Sequence, residues 1–346
     1  MRRSHRAVVA EALAHGEWGW LVRAAGRTLA ARLGLPVGPL FATLAVTFRC
    51  NYRCTFCDLP DRARGDPPLA ALVARLDRVV ADGARAVGLT GGEPLLHPQL
   101  FEVIAAARAR GLLVHLNSNG SRLTEAAVAP LLASGLHSLH LSLDGAIAAT
   151  HDELRQVPGS FVQIEATLAA LRAGRAARGA RRPRLGLVMA VTPRNWREVA
   201  DFARLAVRWQ VDAAGFLPHH EFVETRARLS EPDAAELARR LREAQRIAGA
   251  RLDNSAAYLA AVPRFLAGAT TPLACSAPRT HVAVAPDGRR YPCVPLMTLE
   301  RGGRDADAPG PPAPPGPTER EEICRACWWN CHRELDLTLK TIAAPR

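Results

Sequence analysis

The chain has 346 residues, of which 48% are apolar, 23% charged and only 5% aromatic, a composition that suits a soluble globular protein of one large or two modest domains. Its formal charge of +12 comes almost wholly from arginine, Lys340 being the sole lysine. An Arg-, Ala-, Gly- and Pro-rich composition reflects GC-rich coding, so the charge is no argument for nucleic acid and no such partner is expected.

The first residues carry Arg2 and Arg3, but Glu11 and His15 interrupt the apolar core that a signal peptide needs. The longest uncharged runs, Ala126 to Leu143 and Leu33 to Phe48, are broken by prolines, glycines and histidines and fall short of the roughly 20 apolar residues of a membrane span. A cytoplasmic location is expected. There thiols stay reduced, and grouped cysteines are metal ligands or catalysts before they are disulfides.

Residues 1–40 form an N-terminal segment in which Trp18, Leu21, Val22, Ala25, Leu29 and Leu33 recur at helical spacing beside Arg23, Arg27 and Arg32. This basic amphipathic helix has two readings, packing on the rest of the fold or peripheral contact with a membrane surface. From Phe41, short apolar runs alternate with helical patterns. Strands are expected at Ala42 to Phe48, Ala86 to Thr90, Leu112 to Asn117, Ser138 to Leu143, Leu185 to Val191 and Ala213 to Pro218. Helices are expected at Leu69 to Ala81, Leu100 to Arg110, Glu125 to Ala133, Phe161 to Ala173, Trp196 to Arg208 and Ala234 to Ile247. Such alternation implies parallel strands joined by right-handed crossovers, here a partial (βα)6 TIM-like barrel over 41–220 with a helical connection over 221–270. A smaller cysteine-bearing module comes next over 271–340, interrupted by a Pro/Gly-rich insertion at 302–318.

The first four strands each run into polar residues. Cys50 comes after the first, Gly91-Gly92-Glu93 after the second, Asn117-Ser118-Asn119 after the third, and Ser142 and Asp144 end the fourth. Carboxyl ends of parallel strands share one face, where barrel active sites are built. Three closely spaced thiolates, Cys50, Cys54 and Cys57, can wrap one face of a four-iron cluster, which usually takes four protein ligands, so one iron is left open. A zinc site completed by Asp58 or a histidine is the alternative, although structural zinc sites favour paired C-x-x-C units. Gly91 and Gly92 admit close backbone approach to a ligand, and Glu93 can accept from an ammonium group.

The C-x3-C-x2-C motif of Cys50, Cys54 and Cys57, with Phe56 before the third cysteine and LTGGEP at the next strand end, resembles the radical S-adenosylmethionine superfamily over roughly Phe41 to Pro218. The resemblance implies that the open iron binds the amino and carboxylate groups of S-adenosylmethionine (SAM). One electron then cleaves the sulfonium to methionine and a 5'-deoxyadenosyl radical that abstracts a substrate hydrogen. By the same resemblance Gly91, Gly92 and Glu93 meet the methionine amino group, Asn117, Ser118 and Asn119 the ribose side, Ser142 and Asp144 the next strand end, and Arg155 the methionine carboxylate. For Arg155 a plain surface ion pair is the alternative. A reductant such as flavodoxin or ferredoxin is implied as partner.

Cys275, Gly288 and Cys293 are spaced like the start of the SPASM module, which holds auxiliary iron-sulfur clusters, whereas Cys324, Cys327 and Cys331 depart from its longer ending. Five cysteines suffice for one fully ligated auxiliary 4Fe-4S cluster, as in the shortened twitch module. Cys275, Cys293, Cys324 and Cys327 are the best carry-over and Cys331 the alternative ligand; a zinc ribbon stands beside this reading. Trp328 and Trp329 either shield that site or belong to the core, and Tyr291 lies near a hairpin that in the family can face substrate. The expected enzyme oxidises or otherwise modifies a small metabolite, natural product or lipid; peptide maturation is the second reading, and a non-catalytic iron-sulfur electron-transfer or scaffold protein the alternative of another class.

Overall fold

The computed structural model describes residues 18–33, 38–62, 65–220, 228–270, 275–299, 324–330, 333, 334 and 337. The expected insertion at 302–318 and Cys331 lie outside them. After helix α1 (Trp18–Arg32), six strand-helix steps come in succession: β1 (Phe41–Thr47), α2 (Leu69–Asp82), β2 (Ala86–Gly91), α3 (Leu100–Ala109), β3 (Leu113–Ser118), α4 (Glu125–Ala133), β4 (Ser138–Ser142), α5 (Ala148–Arg155), α6 (Ser160–Ala177), β5 (Arg184–Val191), α7 (Val199–Arg208), β6 (Ala213–Pro218) and α8 (Glu231–Ala248). Then come α9 (Ala256–Leu266), a short α10 (Ala277–Thr280), β7 (His281–Val284), β8 (Arg290–Tyr291) and α11 (Val294–Thr298).

The strands form one sheet in the order β6-β5-β4-β3-β2-β1-β7-β8, parallel throughout except for the final β7-β8 hairpin. This is the expected open barrel. Side chains alternate along β3 and β4: Val114, Leu116, Leu139 and Leu141 are buried under the helices, while His115, Asn117, Ser138, His140 and Ser142 are half-buried on the other face. Each helix docks an apolar stripe. In α2, Leu72, Leu76 and Val79 are buried at spacings of four and three, and Gly83 ends the helix with φ 116°, its N–H reaching the carbonyls of Val79 and Val80. Ser230 caps α8 by accepting from the Asp233 N–H.

Two features depart from the expected pattern. An additional helix, α5, precedes α6; only His151 and Leu154 of its residues are buried, too few to mark a periodicity. The expected helix from Trp196 begins as a 3-10 turn, Trp196–Glu198, before α7. The C-terminal segment also extends the barrel sheet, β7 pairing with β1 from Phe41↔His281 to Leu44↔Val284. Trp18, Val22 and Leu29 of α1 and Leu33 just after it are exposed, so these four do not pack on the barrel. No helix among the described residues is long and apolar enough to cross a membrane.

Candidate active site

The loop after β1 and the end of β2 are built as one unit. The Gly92 N–H donates to the Thr47 carbonyl (2.8 Å) and the Glu93 N–H to the Arg49 carbonyl (2.9 Å). A Cβ on Gly91, whose φ is 135°, would lie 1.8 Å from the Thr47 oxygen, and one on Gly92 would lie 2.2 Å from the Arg49 oxygen. The two glycines are therefore required by the backbone that leads directly into Cys50, which gives a structural reason for the two motifs to occur together.

Cys50, Cys54 and Cys57 all face a cavity of about 260 Å3 at the carboxyl ends of the strands, with Gly91, Gly92, Asn117, Ser118, Asn119, Ser142 and Arg155 on the same wall. Donors converge on the sulfurs. The Tyr52 N–H lies 3.4 Å from Cys50 Sγ, Asn119 Nδ2 lies 3.8 Å from the same atom, and Arg155 Nη1 lies 3.6 Å from Cys54 Sγ. Burial pushes all three thiols up, Cys57 to about 11; neighbouring thiols add to it at Cys50 and Cys57, while at Cys54 Arg155 opposes the rise and Asp144 adds to it. Empty, they are thiols. A metal would deprotonate them, and the N–H groups already aimed at sulfur would stabilise the charge. The donor set fits a four-iron cluster with one iron left for another ligand.

Glu93 is fully buried. Its carboxylate accepts from the Leu95 N–H (3.0 Å), Ser118 Oγ (2.8 Å) and the Asn119 N–H (2.7 Å), locking the end of β2 to the end of β3. Burial pushes its pKa up, and these donors resist the shift. Among the expected cosubstrate contacts, Glu93 and Asp144 do not line the cavity, whereas Gly91, Gly92, Asn117, Ser118, Asn119, Ser142 and Arg155 do.

Arg155, at the end of α5, forms a buried ion pair with Asp144, Nη2 to Oδ2 at 2.5 Å, the side chains being 11% and 0% exposed. Asp144 Oδ1 also accepts from the Ala190 N–H (2.8 Å), and Asn195 Nδ2 donates to the carbonyls of Asp144 and Ala190. This is an interior network rather than the surface pair weighed against it. Asp144 aims the guanidinium at the cavity, where it also lies over the Phe56 ring, 5.7 Å from its centroid.

Sequence reasoning missed other residues that line the cavity. Leu217, Pro218, His219 and His220 line the cavity from the end of β6, and Val294, Met297, Thr298 and Trp329 from the C-terminal segment. The strand-end rule that found Cys50 and Asn117 would have found the histidines, since they directly succeed β6. His219 Nε2 lies 3.4 Å from the Phe56 carbonyl, and burial holds its pKa below the usual imidazole value. His220 Nε2 accepts from the Trp328 N–H at 2.7 Å, fastening the C-terminal segment to the barrel mouth. Tyr291 is buried in the core beside Ala45 and Met297 and does not reach the cavity.

Cys275, Cys293, Cys324 and Cys327 do not line that cavity; burial, with the charges of Cys327, Cys275 and Cys324 adding to it, holds the Cys293 thiol well above its ordinary range. Trp328 is buried, stacked on Tyr258 with centroids 5.5 Å apart, and exchanges hydrogen bonds with it, Tyr258 Oη to the Trp328 carbonyl (3.0 Å) and Trp328 Nε1 to the Tyr258 carbonyl (3.1 Å). Four thiolates are the donor set that one fully ligated four-iron cluster takes. Among the described residues, no three His, Cys, Asp or Glu side chains surround a single-ion site.

A parallel half barrel with three cysteines after its first strand and a Gly-Gly-Glu end to its second defines a cluster-binding barrel protein. Residues 44–206, just under half of the chain, match the radical SAM superfamily, so the chain contains a radical SAM domain; the cofactors of that superfamily are a 4Fe-4S cluster and SAM. It is 35% identical over 139 residues to an AdoMet-dependent heme synthase of Methanosarcina barkeri, covering 39% of each chain. A GTP 3',8-cyclase of Pseudomonas putida is 32% identical over 211 residues, 55% of this chain and 61% of that one. The mycofactocin maturase MftC of Mycobacterium ulcerans is 32% identical over 176 residues, 49% of this chain and 45% of that one. The chain thus spans between about two fifths and three fifths of the length of these relatives. In fold it is similar to Streptococcus suis SuiB bound to the precursor peptide SuiA, with TM-score 0.61, 14% identity and coverage of 90% of this chain and 68% of that one. It is likewise similar to anSMEcpe with bound AdoMet and a peptide, with TM-score 0.60, 17% identity and 78% of both chains.

Proposed function

We propose that this chain is a radical SAM enzyme that cleaves SAM at the Cys50, Cys54, Cys57 site and modifies a C–H bond of a substrate held between the barrel mouth and the C-terminal segment. The observation that carries the reading is the single cavity shared by the three cysteines, the Gly91-Gly92 backbone, Asn117, Asn119, Ser142 and Arg155. When bound, the cluster supplies the electron that splits SAM into methionine and the 5'-deoxyadenosyl radical, which takes the substrate hydrogen. The chain's residues do the rest. Cys50, Cys54 and Cys57 hold the iron, and Arg155, fixed by Asp144, presents a cation to the methionine carboxylate. Glu93 acts by holding the ends of β2 and β3 together. Asn117, Asn119 and Ser142 offer hydrogen bonds to the nucleoside, and Leu217, Pro218, Met297 and Trp329 keep water from the radical.

Cys275, Cys293, Cys324 and Cys327, with Cys331 as the alternative ligand, hold an auxiliary 4Fe-4S cluster. It would accept an electron from the substrate radical and so complete a two-electron oxidation. MftC, SuiB with its precursor peptide and anSMEcpe with a peptide support a peptide as substrate. The apolar outer wall of Leu217, Pro218, Val294 and Met297 favours, as the second reading, a small natural product or lipid, the class expected from the sequence. A flavodoxin or ferredoxin is the proposed reductant and the cytoplasm the proposed location. The test is anaerobic reconstitution with iron and sulfide, reduction with dithionite and assay of 5'-deoxyadenosine after addition of SAM. Formation of deoxyadenosine supports the reading, and its absence from protein carrying a reducible cluster overturns it.

A further inference from the structure

Arg333 is 1% exposed. Its Nε donates to the Cys327 carbonyl and its Nη2 to the Cys324 carbonyl, both at 3.1 Å. Its guanidinium carbon lies 5.7 Å from the centroid of the Trp328 ring, and its N–H donates to the Trp329 carbonyl at 3.0 Å. The planar fork of one side chain therefore spans the backbone of two of the four gathered cysteines, three residues apart. Lysine has no such fork.

Burying a guanidinium is costly unless charge and hydrogen bonds compensate it. Two carbonyl dipoles and an aromatic face supply part of that compensation. A cluster ligated by four thiolates carries net negative charge, so a loaded site would add an attraction to this cation. The arrangement thus has two consequences for a bound cluster: the two carbonyls fix the spacing of the Cys324 and Cys327 backbone, and a fixed cation stands beside the ligand loop. Positive charge near a cluster favours its reduced, more negative form and raises its potential.

We propose that Arg333 is a positioning residue of the auxiliary site, setting both the geometry of the Cys324 to Cys327 turn and, through its charge, the reduction potential of the cluster held there. The proposal rests on the assignment of an auxiliary cluster to the four cysteines and adds a residue that ligates nothing. It requires a readout independent of turnover, because substrate oxidation would fail for many reasons.

The experiment uses the full chain carrying Cys50→Ala, Cys54→Ala and Cys57→Ala, so that only the auxiliary site can load. Iron content, the visible spectrum and the midpoint potential are measured by anaerobic titration with arginine, Arg333→Met or Arg333→Lys at position 333. In Arg333→Met the midpoint falls, changing the ratio of reduced to oxidised cluster at fixed potential at least tenfold, about 59 mV for one electron. Arg333→Lys keeps the midpoint close to that of the arginine protein. Lower iron loading in both variants, with the midpoint kept in Arg333→Lys and lowered in Arg333→Met, supports both parts of the role. A fully loaded Arg333→Met protein with unchanged midpoint overturns it, as does complete loss of the cluster from both variants, which would make the residue purely structural. Absence of any cluster from the protein that retains Arg333 overturns the auxiliary-site assignment itself, and the role with it.

Discussion

The two cysteine sites are built on opposite plans. At Cys50, Cys54 and Cys57 the chain directs N–H donors at the sulfurs and leaves all three facing a cavity. At Cys275, Cys293, Cys324 and Cys327 none of the four lines that cavity, and Arg333 donates to the carbonyls of Cys324 and Cys327. The first plan suits a cluster that must receive a ligand from outside. The second would suit one that is closed and exchanges only electrons. On the proposed assignments, what separates the two sites is where the polar groups point, more than which residues ligate.

The largest effect should come from breaking the open site. Replacing Cys50, Cys54 and Cys57 with alanine abolishes deoxyadenosine formation while the protein retains about four of about eight irons per chain, as two four-iron clusters require; retention of eight irons would erase the distinction between the sites. Next, Cys293→Ala removes the second cluster's absorption while deoxyadenosine is still formed from SAM without substrate, as a chromatographic assay would show. Third, Arg155→Met leaves Asp144 buried without its counter-charge and lowers stability to denaturant by about 3–5 kcal/mol. Adding Asp144→Asn recovers most of that loss but not SAM affinity, measured by equilibrium dialysis, so the pair's structural and binding roles separate.

The smallest effect is on pH. Burial holds His115 at about 4 and His151 and His281 at about 3, against about 6.5 in the unfolded chain. A lowered folded-state pKa means that the stability these imidazoles contribute is complete above about 6.5 and is lost as pH falls toward their folded values. The buried carboxyls of Asp253, held up at about 6, and of Glu93 and Asp144, also raised, act in the opposite sense, but His140 and His219 are held down as well, so three groups stand against five. The thermal midpoint of the metal-free protein therefore falls from pH 7 to pH 5, and His281→Phe makes the fall shallower.

The barrel was legible because parallel strands buried on both faces read as apolar runs, as β5 and β6 do, and because a polar cluster stood at the end of each of the first four. Helix α5 was not, since only His151 and Leu154 anchor it. The cysteines and the glycine pair were legible from spacing, but what Glu93 does was not: its bonds run to Ser118 and Asn119, a strand away. His219 and His220 obeyed the strand-end rule and were overlooked. The wall formed by Val294, Met297 and Trp329 depends on the pairing of β7 with β1, which joins residues far apart in sequence and leaves no local trace.

That pairing has a consequence for biosynthesis. Until residues 281–284 leave the ribosome, the nascent barrel presents the edge of β1, with the unpaired N–H and C=O groups of Phe41 to Leu44, to any other extended chain. The same strand leads into the Cys50 loop, so that loop and the adhesive edge are exposed together during translation. Both are covered only once residues 281–299 have been made, so a chain truncated before residue 281 should associate through the free β1 edge.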